Sequence, residues 1–186
     1  MSEQTHRLFV AIDLPNAIKD HLAPLLKGIS GAKWVSRPQL HLTLRFIGEV
    51  ETPRFQAIAR ALESVQSSSF ETRLNGVGRF PPKGPPRVLW VGMDEHPTMM
   101  DLQQQIEKTL VQLDLAPEDR PFSAHITLAR LKTPPPRDVT DGYLAKHSSF
   151  QTPTFPVSQF VLYSSVLSRQ GPSYHVEQTY RLSGNS

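Results

Sequence analysis

The chain has 186 residues, 38% of them hydrophobic and 20% charged, with a formal charge of +3 and a pI near 9.3, the make-up of a globular protein of one domain or two small lobes. Cysteine is absent, which excludes disulfides and thiolate metal sites; no apolar run approaches the ~20 residues that span a bilayer. The polar start Met1-Ser2-Glu3-Gln4-Thr5-His6 does not read as a signal peptide, so the cytoplasm is the expected location, and the mild basicity suits a polyanionic ligand without forming a basic tail.

Arg7 to Leu14 reads as a buried strand stopped by Pro15. Ile18, Leu22, Leu25 and Ile29 recur at helical spacing and predict one helix ended by Gly28 and Gly31. A short extended piece, Lys33 to Ser36, leads through Pro38 into a strand from Leu40 that Gly48 closes. A second helix is expected from Thr52, with Pro53 at its first turn and Phe55, Ile58, Ala59, Leu62 and Val65 on one face. Phe70 to Val77 reads as a strand. Phe80-Pro81-Pro82-Lys83-Gly84-Pro85-Pro86 is a breaker-rich loop and the expected join between two lobes. Arg87 to Met93 predicts a strand, Met99 to Leu113 a third helix, and Ala124 to Leu131 another strand. After a proline-rich loop, Lys132 to Pro136, a short helix over Asp138 to His147 precedes a C-terminal hairpin of Phe155 to Leu167 and Ser173 to Leu182, and Gly184-Asn185-Ser186 reads as a frayed end.

Two of these strands carry the same tetrapeptide pattern. His41-Leu42-Thr43-Leu44 and His125-Ile126-Thr127-Leu128, 84 residues apart, both read His, apolar, Thr, apolar. Alternate strand residues face opposite ways, so each His shares a face with its Thr while the apolar pair faces a core. The order strand, helix, His/Thr strand occurs twice, which implies an internal duplication. The expected organisation is one lobe around 7–78, a second around 87–131 and a hairpin over 153–182, with the two His/Thr strands facing one cleft.

Paired imidazoles suit in-line displacement at a phosphodiester. One proton must leave the attacking oxygen while another reaches the leaving oxygen on the opposite side of phosphorus. Two imidazoles with unperturbed pKa near ~6.5 can do both at neutral pH. The Thr hydroxyls can donate to non-bridging oxygens as charge builds there. A strained 2',3'-cyclic phosphate needs no metal for this.

The pattern resembles the signature of the two-histidine (2H) phosphoesterases. Leu8-Phe9-Val10-Ala11-Ile12-Asp13-Leu14-Pro15, His41 to Gly48, Arg87-Val88-Leu89-Trp90-Val91-Gly92 and His125 to Arg130 are similar to its bacterial and archaeal branch, the RNA 2',3'-cyclic phosphodiesterases or 2'-5' RNA ligase-like proteins. The resemblance is weakest from Lys132 to Pro153. It implies an α+β bilobal fold with two antiparallel sheets lining a central cleft and helices outside. It implies hydrolysis of RNA 2',3'-cyclic phosphate to 2'-phosphate, with ATP-independent 2'-5' ligation as an associated activity, and no cofactor. The partner would be an RNA end, tRNA fragments among the candidates, or a small cyclic nucleotide, bound by a monomer. His41 would donate the proton and His125 accept it.

Arg45 has the parity of His41 and is expected on the cleft face, where it meets substrate phosphate or solvent; Ala129 is its counterpart. Arg130 ends the second motif as in the family, but its parity points it away from His125 unless the strand bends. The other five histidines read as surface residues, and Trp34 and Trp90 as core or rim rather than base-stacking platforms. The loop at Lys83 and Arg87, with Phe80 nearby, reads equally as a guide for single-stranded RNA or as a solvated loop. A zinc site lacks an acidic third ligand on the His face, and a non-catalytic RNA-binding module leaves the paired imidazoles unexplained.

Overall fold

The computed structural model describes residues 4–184; Met1 to Glu3 of the polar start and the last two residues of the segment read as frayed lie outside it. The chain runs β1 (Thr5–Asp13), α1 (Asn16–His21), β2 (Lys33–Trp34), β3 (His41–Glu51), α2 (Thr52–Leu62), β4 (Phe70–Thr72), β5 (Leu74–Phe80), β6 (Val88–Met93), α3 (Pro97–Val111), β7 (His125–Arg130), α4 (Arg137–Lys146), β8 (Phe155–Val157), β9 (Gln159–Ser168) and β10 (Gly171–Arg181). Two four-stranded antiparallel sheets result, in the orders β10-β9-β1-β3 and β2-β7-β6-β5, and β4 pairs with β8 in a small ribbon. This is the mixed α+β, two-sheet fold that the resemblance implies.

The duplication is visible strand by strand. β1-α1-β3-α2-β4-β5 matches β6-α3-β7-α4-β8-β9 in order. The halves do not close on themselves, however. β5 follows the first His/Thr strand yet pairs with β6, and β9 follows the second yet pairs with β1. The single strand read over Phe70 to Val77 is two, β4 and β5; β5 belongs to the sheet of the second half, as does β2, and the hairpin of 153–182 completes the sheet of the first. Phe80 to Pro86, expected to join the lobes, instead ends β5 and turns the chain back to its partner β6, with the Arg87 N–H donating to the Phe80 carbonyl.

One apolar core lies behind both sheets. Leu8, Val10 and Ile12 of β1, Leu42 and Leu44 of β3, Leu89 and Val91 of β6, and Ile126 and Leu128 of β7 join Leu102 and Ile106 of α3 in a continuous cluster. β1 is apolar on both faces from Leu8 to Ile12: Leu8, Val10 and Ile12 face the main core, and Phe9 and Ala11 pack with Val161 and Tyr163 in a second, smaller cluster. Ile18, Leu22, Leu25 and Ile29 are all buried, as their spacing predicts, but α1 ends at His21 and Ala23–Leu25 is a single 3-10 turn. Pro24 has no N–H to continue an α-helix. β3 does not stop at Gly48. That residue adopts φ +90° at a bulge, where Leu8 pairs with Gly48 and Phe9 with Phe46, and the strand continues to Glu51.

Glycine matters most at Gly78. It pairs directly with Trp90, and the indole lies across it, so a Cβ there would come within 2.1 Å of the ring. Trp90 in turn contacts Phe80 and the His125 ring. Gly78→Ala should therefore force the indole aside, cost about 1–3 kcal/mol of stability by overpacking, and impair the His125 side of the cleft. Thermal melts together with turnover would check this; an unchanged Tm and rate would show that the indole moves freely.

Candidate active site

The two sheets meet where β3 lies beside β7, and His41 and His125 are the first residues of those strands. Both line one cleft of about 510 Å³, together with Thr43 and Thr127. The residues that the tetrapeptide pattern pairs on each strand are thus brought together from the two halves.

A bulge in each strand then changes which residues follow them into the cleft. In the first sheet Ala11 pairs with Thr43 but Val10 with Arg45, leaving Leu44 extra. In the second, Trp90 pairs with Thr127 but Leu89 with Ala129, leaving Leu128 extra. Past each bulge the facing of the side chains reverses. Arg45 is consequently turned out of the cleft and buried, with Nε 2.6 Å from Glu107 and Nη1 3.2 Å from Glu118, and it also donates to the Ala116 carbonyl. The expected place of Arg45 against substrate is corrected: it ties β3 to α3 and the loop after it. Arg130, whose parity pointed away, lines the cleft because β7 bends in this way. Phe46 is the residue of the first half that takes the place of Arg130.

Sequence reasoning missed Arg7, Lys33, Gln39, Phe46 and Tyr174, all of which line the cleft. Arg7 had a legible signal. Phe9 and Ala11 pair opposite cleft residues Phe46 and Thr43, so parity along β1 places Arg7 on the same face. Trp34 is half-buried and lines the cleft, and the Trp90 ring lies 6.3 Å from that of His125. Two of the five other histidines have structural roles. His96 caps α3 by accepting from the Thr98 N–H, and His6 is hydrogen-bonded to Thr52. Phe80 stands edge-on to His125 at 4.9 Å, whereas Lys83 lies in a separate groove with Pro134, Pro135 and Arg137.

The imidazoles are oriented from behind. His125 Nδ1–H donates to the Ser123 carbonyl at 2.7 Å. A carbonyl only accepts, so the neutral ring carries its proton on Nδ1 and leaves the Nε2 lone pair free. A backbone hydrogen bond at Gln39 supports His41 similarly, and His41 Nε2 lies 3.0 Å from Thr43 Oγ1. His41 rests on a floor of Phe9, Ala11, Val161 and Tyr163, with Phe9 at 4.9 Å and Tyr174 edge-on at 5.2 Å. Removal from water lowers its pKa to about 4, against the smaller raising effects of Gln39 and of Asp13. Asp13 is opposite His41 in register but is engaged by the buried Lys19 at 2.8 Å. His125 is lowered too, by desolvation, with Ser123 opposing. Among the described residues no three His, Asp or Glu side chains converge to hold a metal ion.

The family model for LigT-like phosphoesterases matches this chain twice, over 12–90 and 91–174. The chain belongs to the LigT-like phosphoesterase family. The double match falls on the two halves that strand order reveals. Among relatives named RNA 2',3'-cyclic phosphodiesterase, that of Archaeoglobus fulgidus is 37% identical over 90% of this chain and 96% of its own length. That of Thermotoga maritima is 32% identical over 91% and 92%. TT0787 of Thermus thermophilus superposes with a TM-score of 0.78 at 31% identity, covering 97% of this chain and all of that one. LigT of E. coli, crystallised with 3'-AMP, superposes at 0.76 with 26% identity, covering 96% and 99%. The phosphoesterase is an enzyme by this kinship, and its relatives' names point to cyclic phosphodiester chemistry.

Two outcomes test the site's electrostatics. In the free protein both imidazoles should titrate below 6.5 by NMR, His41 lowest at about 4, and added inorganic phosphate should raise at least one of them. Because the folded state binds fewer protons than the unfolded between about 4 and 6.5, stability should be greatest above 6.5 and fall as pH drops through that window. Arg45→Met should leave KM nearly unchanged yet remove about 3 kcal/mol, lowering Tm by roughly 6–12 °C, because Glu107 loses its buried partner. A large KM effect with an unchanged Tm would return Arg45 to the substrate.

Proposed function

We propose that this phosphoesterase hydrolyses RNA 2',3'-cyclic phosphate ends to 2'-phosphate ends, using His41 and His125 as an acid/base pair and no metal. The observation that carries this reading is the symmetric pair of imidazoles, each with a Thr two residues on, delivered to one cleft by separate strands. In-line displacement needs groups on opposite sides of phosphorus, and two strands facing one cleft supply them. Nε2 of His125 removes a proton from water. His41 protonates the departing ribose 3'-oxygen, which is too basic to leave alone. Thr43 and Thr127 donate to the non-bridging oxygens as negative charge grows, and Arg130, Arg7 and Lys33 supply positive potential at the cleft.

His41 must carry a proton to act as acid, and the free cleft disfavours it. The phosphodiester anion, seated against the ring, opposes the desolvation penalty and draws the proton in. A 5'-hydroxyl in place of water, attacking the same phosphorus, yields a 2'-5' linkage without ATP. One chain supplies both histidines, so a monomer suffices. The substrate class extends from RNA ends, tRNA fragments included, to small cyclic nucleotides, which the open cleft admits. A cytoplasmic location fits RNA ends as substrates. No helix of the described residues is long and apolar enough to cross a membrane.

The decisive assay is incubation with RNA ending in 2',3'-cyclic phosphate and identification of the end formed. His41→Ala and His125→Ala should each cost roughly 10²–10⁴-fold in rate with the fold intact. Replacing the bridging 3'-oxygen by sulfur separates their roles. A thiolate leaves without a proton, since thiol pKa values lie near ~8.5. The His41→Ala enzyme should recover much of its rate on that substrate, and the His125→Ala enzyme should not. Rescue of the His125 variant alone would exchange the two roles, and rescue of both would leave neither as a dedicated acid.

A further inference from the structure

The turn after β5 carries a lysine that the cleft does not use. Lys83 lies in a second groove of about 550 Å³, walled on one side by Pro82 and the rest of that turn and on the other by Pro134 and Pro135. Arg79 near the end of β5 and Arg137 at the start of α4 also line it, and no acidic residue among those described does. Its place relative to the cleft follows from the strand pairing. Val88 of β6 pairs with Arg130 of β7, and the Leu131 N–H donates to the Arg87 carbonyl. The two walls therefore leave the second sheet side by side, at the end of β7 that reaches the cleft. Pro134 is four residues past Arg130 (134 minus 130), at most ~14 Å of extended chain. Lys83 is three residues past Phe80 (83 minus 80), whose ring stands edge-on to His125 at 4.9 Å.

The three cations of the groove are differently held. Arg79 braces the turn by donating to the Gly84 carbonyl at 2.7 Å and the Pro82 carbonyl at 3.2 Å, neutral acceptors that leave its charge in place. Arg137, its side chain 86% exposed, faces Asp141 one turn along α4 at 3.4 Å, a pair too open to hold it against a stronger anion. Asp138 is the other acid of that helix start and does not line the groove. Lys83 is exposed. The walls contain five prolines, whose fixed φ leaves little freedom to lose when a ligand settles between them. Proline also has no N–H, so these walls do not invite a peptide to pair as an added strand. A stiff channel with three cations and no acid suits a polyanionic backbone held by charge.

We propose that this groove takes the phosphodiester backbone of an RNA strand whose 2',3'-cyclic end lies in the cleft. This rests on the phosphodiesterase reading above and narrows its substrate class: the end of a strand is preferred, because a lone cyclic nucleotide fills the cleft and leaves the groove empty. The nucleotide in the cleft joins the rest of its strand through the 5'-oxygen. The strand leaves over the end of β7, and phosphates a few nucleotides upstream meet Lys83 and Arg137. Contact with the backbone alone adds affinity without sequence preference.

The test compares adenosine 2',3'-cyclic phosphate with an RNA of about ten nucleotides bearing the same cyclic end. The enzymes are wild type, the double variant Lys83→Glu/Arg137→Glu and the double variant Lys83→Arg/Arg137→Lys. Wild type should favour the RNA roughly tenfold or more in kcat/KM, through KM. The Glu variant should raise KM for the RNA roughly tenfold, leave its kcat unchanged, and leave the adenosine substrate unaffected. Its affinity for RNA should also fall less steeply with salt, the log–log slope flattening by about 1.4 or more at ~0.7 per phosphate contact. The Arg/Lys exchange should behave as wild type. A wild type that does not favour the RNA, equal losses on both substrates, or no loss on either would each overturn the proposal. Polyglutamate that competes as well as an unreactive 3'-phosphorylated RNA would assign the groove to acidic protein segments and overturn it too. If wild type turned over neither substrate, the phosphodiesterase reading would fail by itself. The groove would then be judged by fluorescence anisotropy of the 3'-phosphorylated RNA. Binding that the Glu variant weakens roughly tenfold supports it, and binding that persists in that variant, or none in wild type, overturns it.

Discussion

The cleft depends on a single backbone irregularity made twice. A regular strand repeats every two residues, so whatever follows His and Thr on one face is set at i+4. The bulges at Leu44 and Leu128 place two consecutive residues toward the core and deliver i+5 to the cleft. In the second half this turns Arg130 inward. In the first half it removes Arg45 to a buried ion pair and presents Phe46. The charge pattern of the cleft therefore follows from where one extra residue sits in each ladder, and the buried anchoring of Arg45 to Glu107 and Glu118 holds the first of these bulges against α3.

Burial of the histidines has a cost that the mechanism has to absorb. The apolar floor under His41 orients the ring and excludes water, and the same floor disfavours its protonated form. Asp13 is placed to oppose this but is neutralised by Lys19, so the protein does not hold a proton on His41 in advance. On the proposed mechanism, the substrate's own negative charge restores it. Such coupling ties the acid's readiness to occupancy of the cleft, and in the empty enzyme both imidazoles rest neutral near pH 7.

Much of this was legible in the chain. The repeated His-x-Thr-x, read with period two, placed four side chains on one face, and all four line the cleft. Helical spacing marked the right buried residues even beyond α1, where Pro24 keeps the helix that the spacing suggests from continuing. The bulges were not legible, because nothing in Leu44-Arg45 or Leu128-Ala129 marks the extra residue; Arg45 and Arg130 were each assigned by a parity that the backbone abandons. Strand exchange was hidden for a different reason. Pairing partners at long range leave no local signal, so 80–86 read as a linker when it carries a hairpin turn.

That exchange ties the two halves of the chain to one another. If each half had closed its own sheet, the cleft would open and shut with any hinge between them. Instead β5 of the first half is the edge of the second sheet, β9 of the second half is the inner neighbour of β1, and β4 pairs with β8 across the join. A single apolar core runs behind both sheets. His41 and His125 lie on different sheets, so drawing them apart would open that shared core. The pseudo-symmetry then supplies a matched His and Thr from each half to one cleft, and past the bulges the halves differ, with Phe46 on one side and Arg130 on the other.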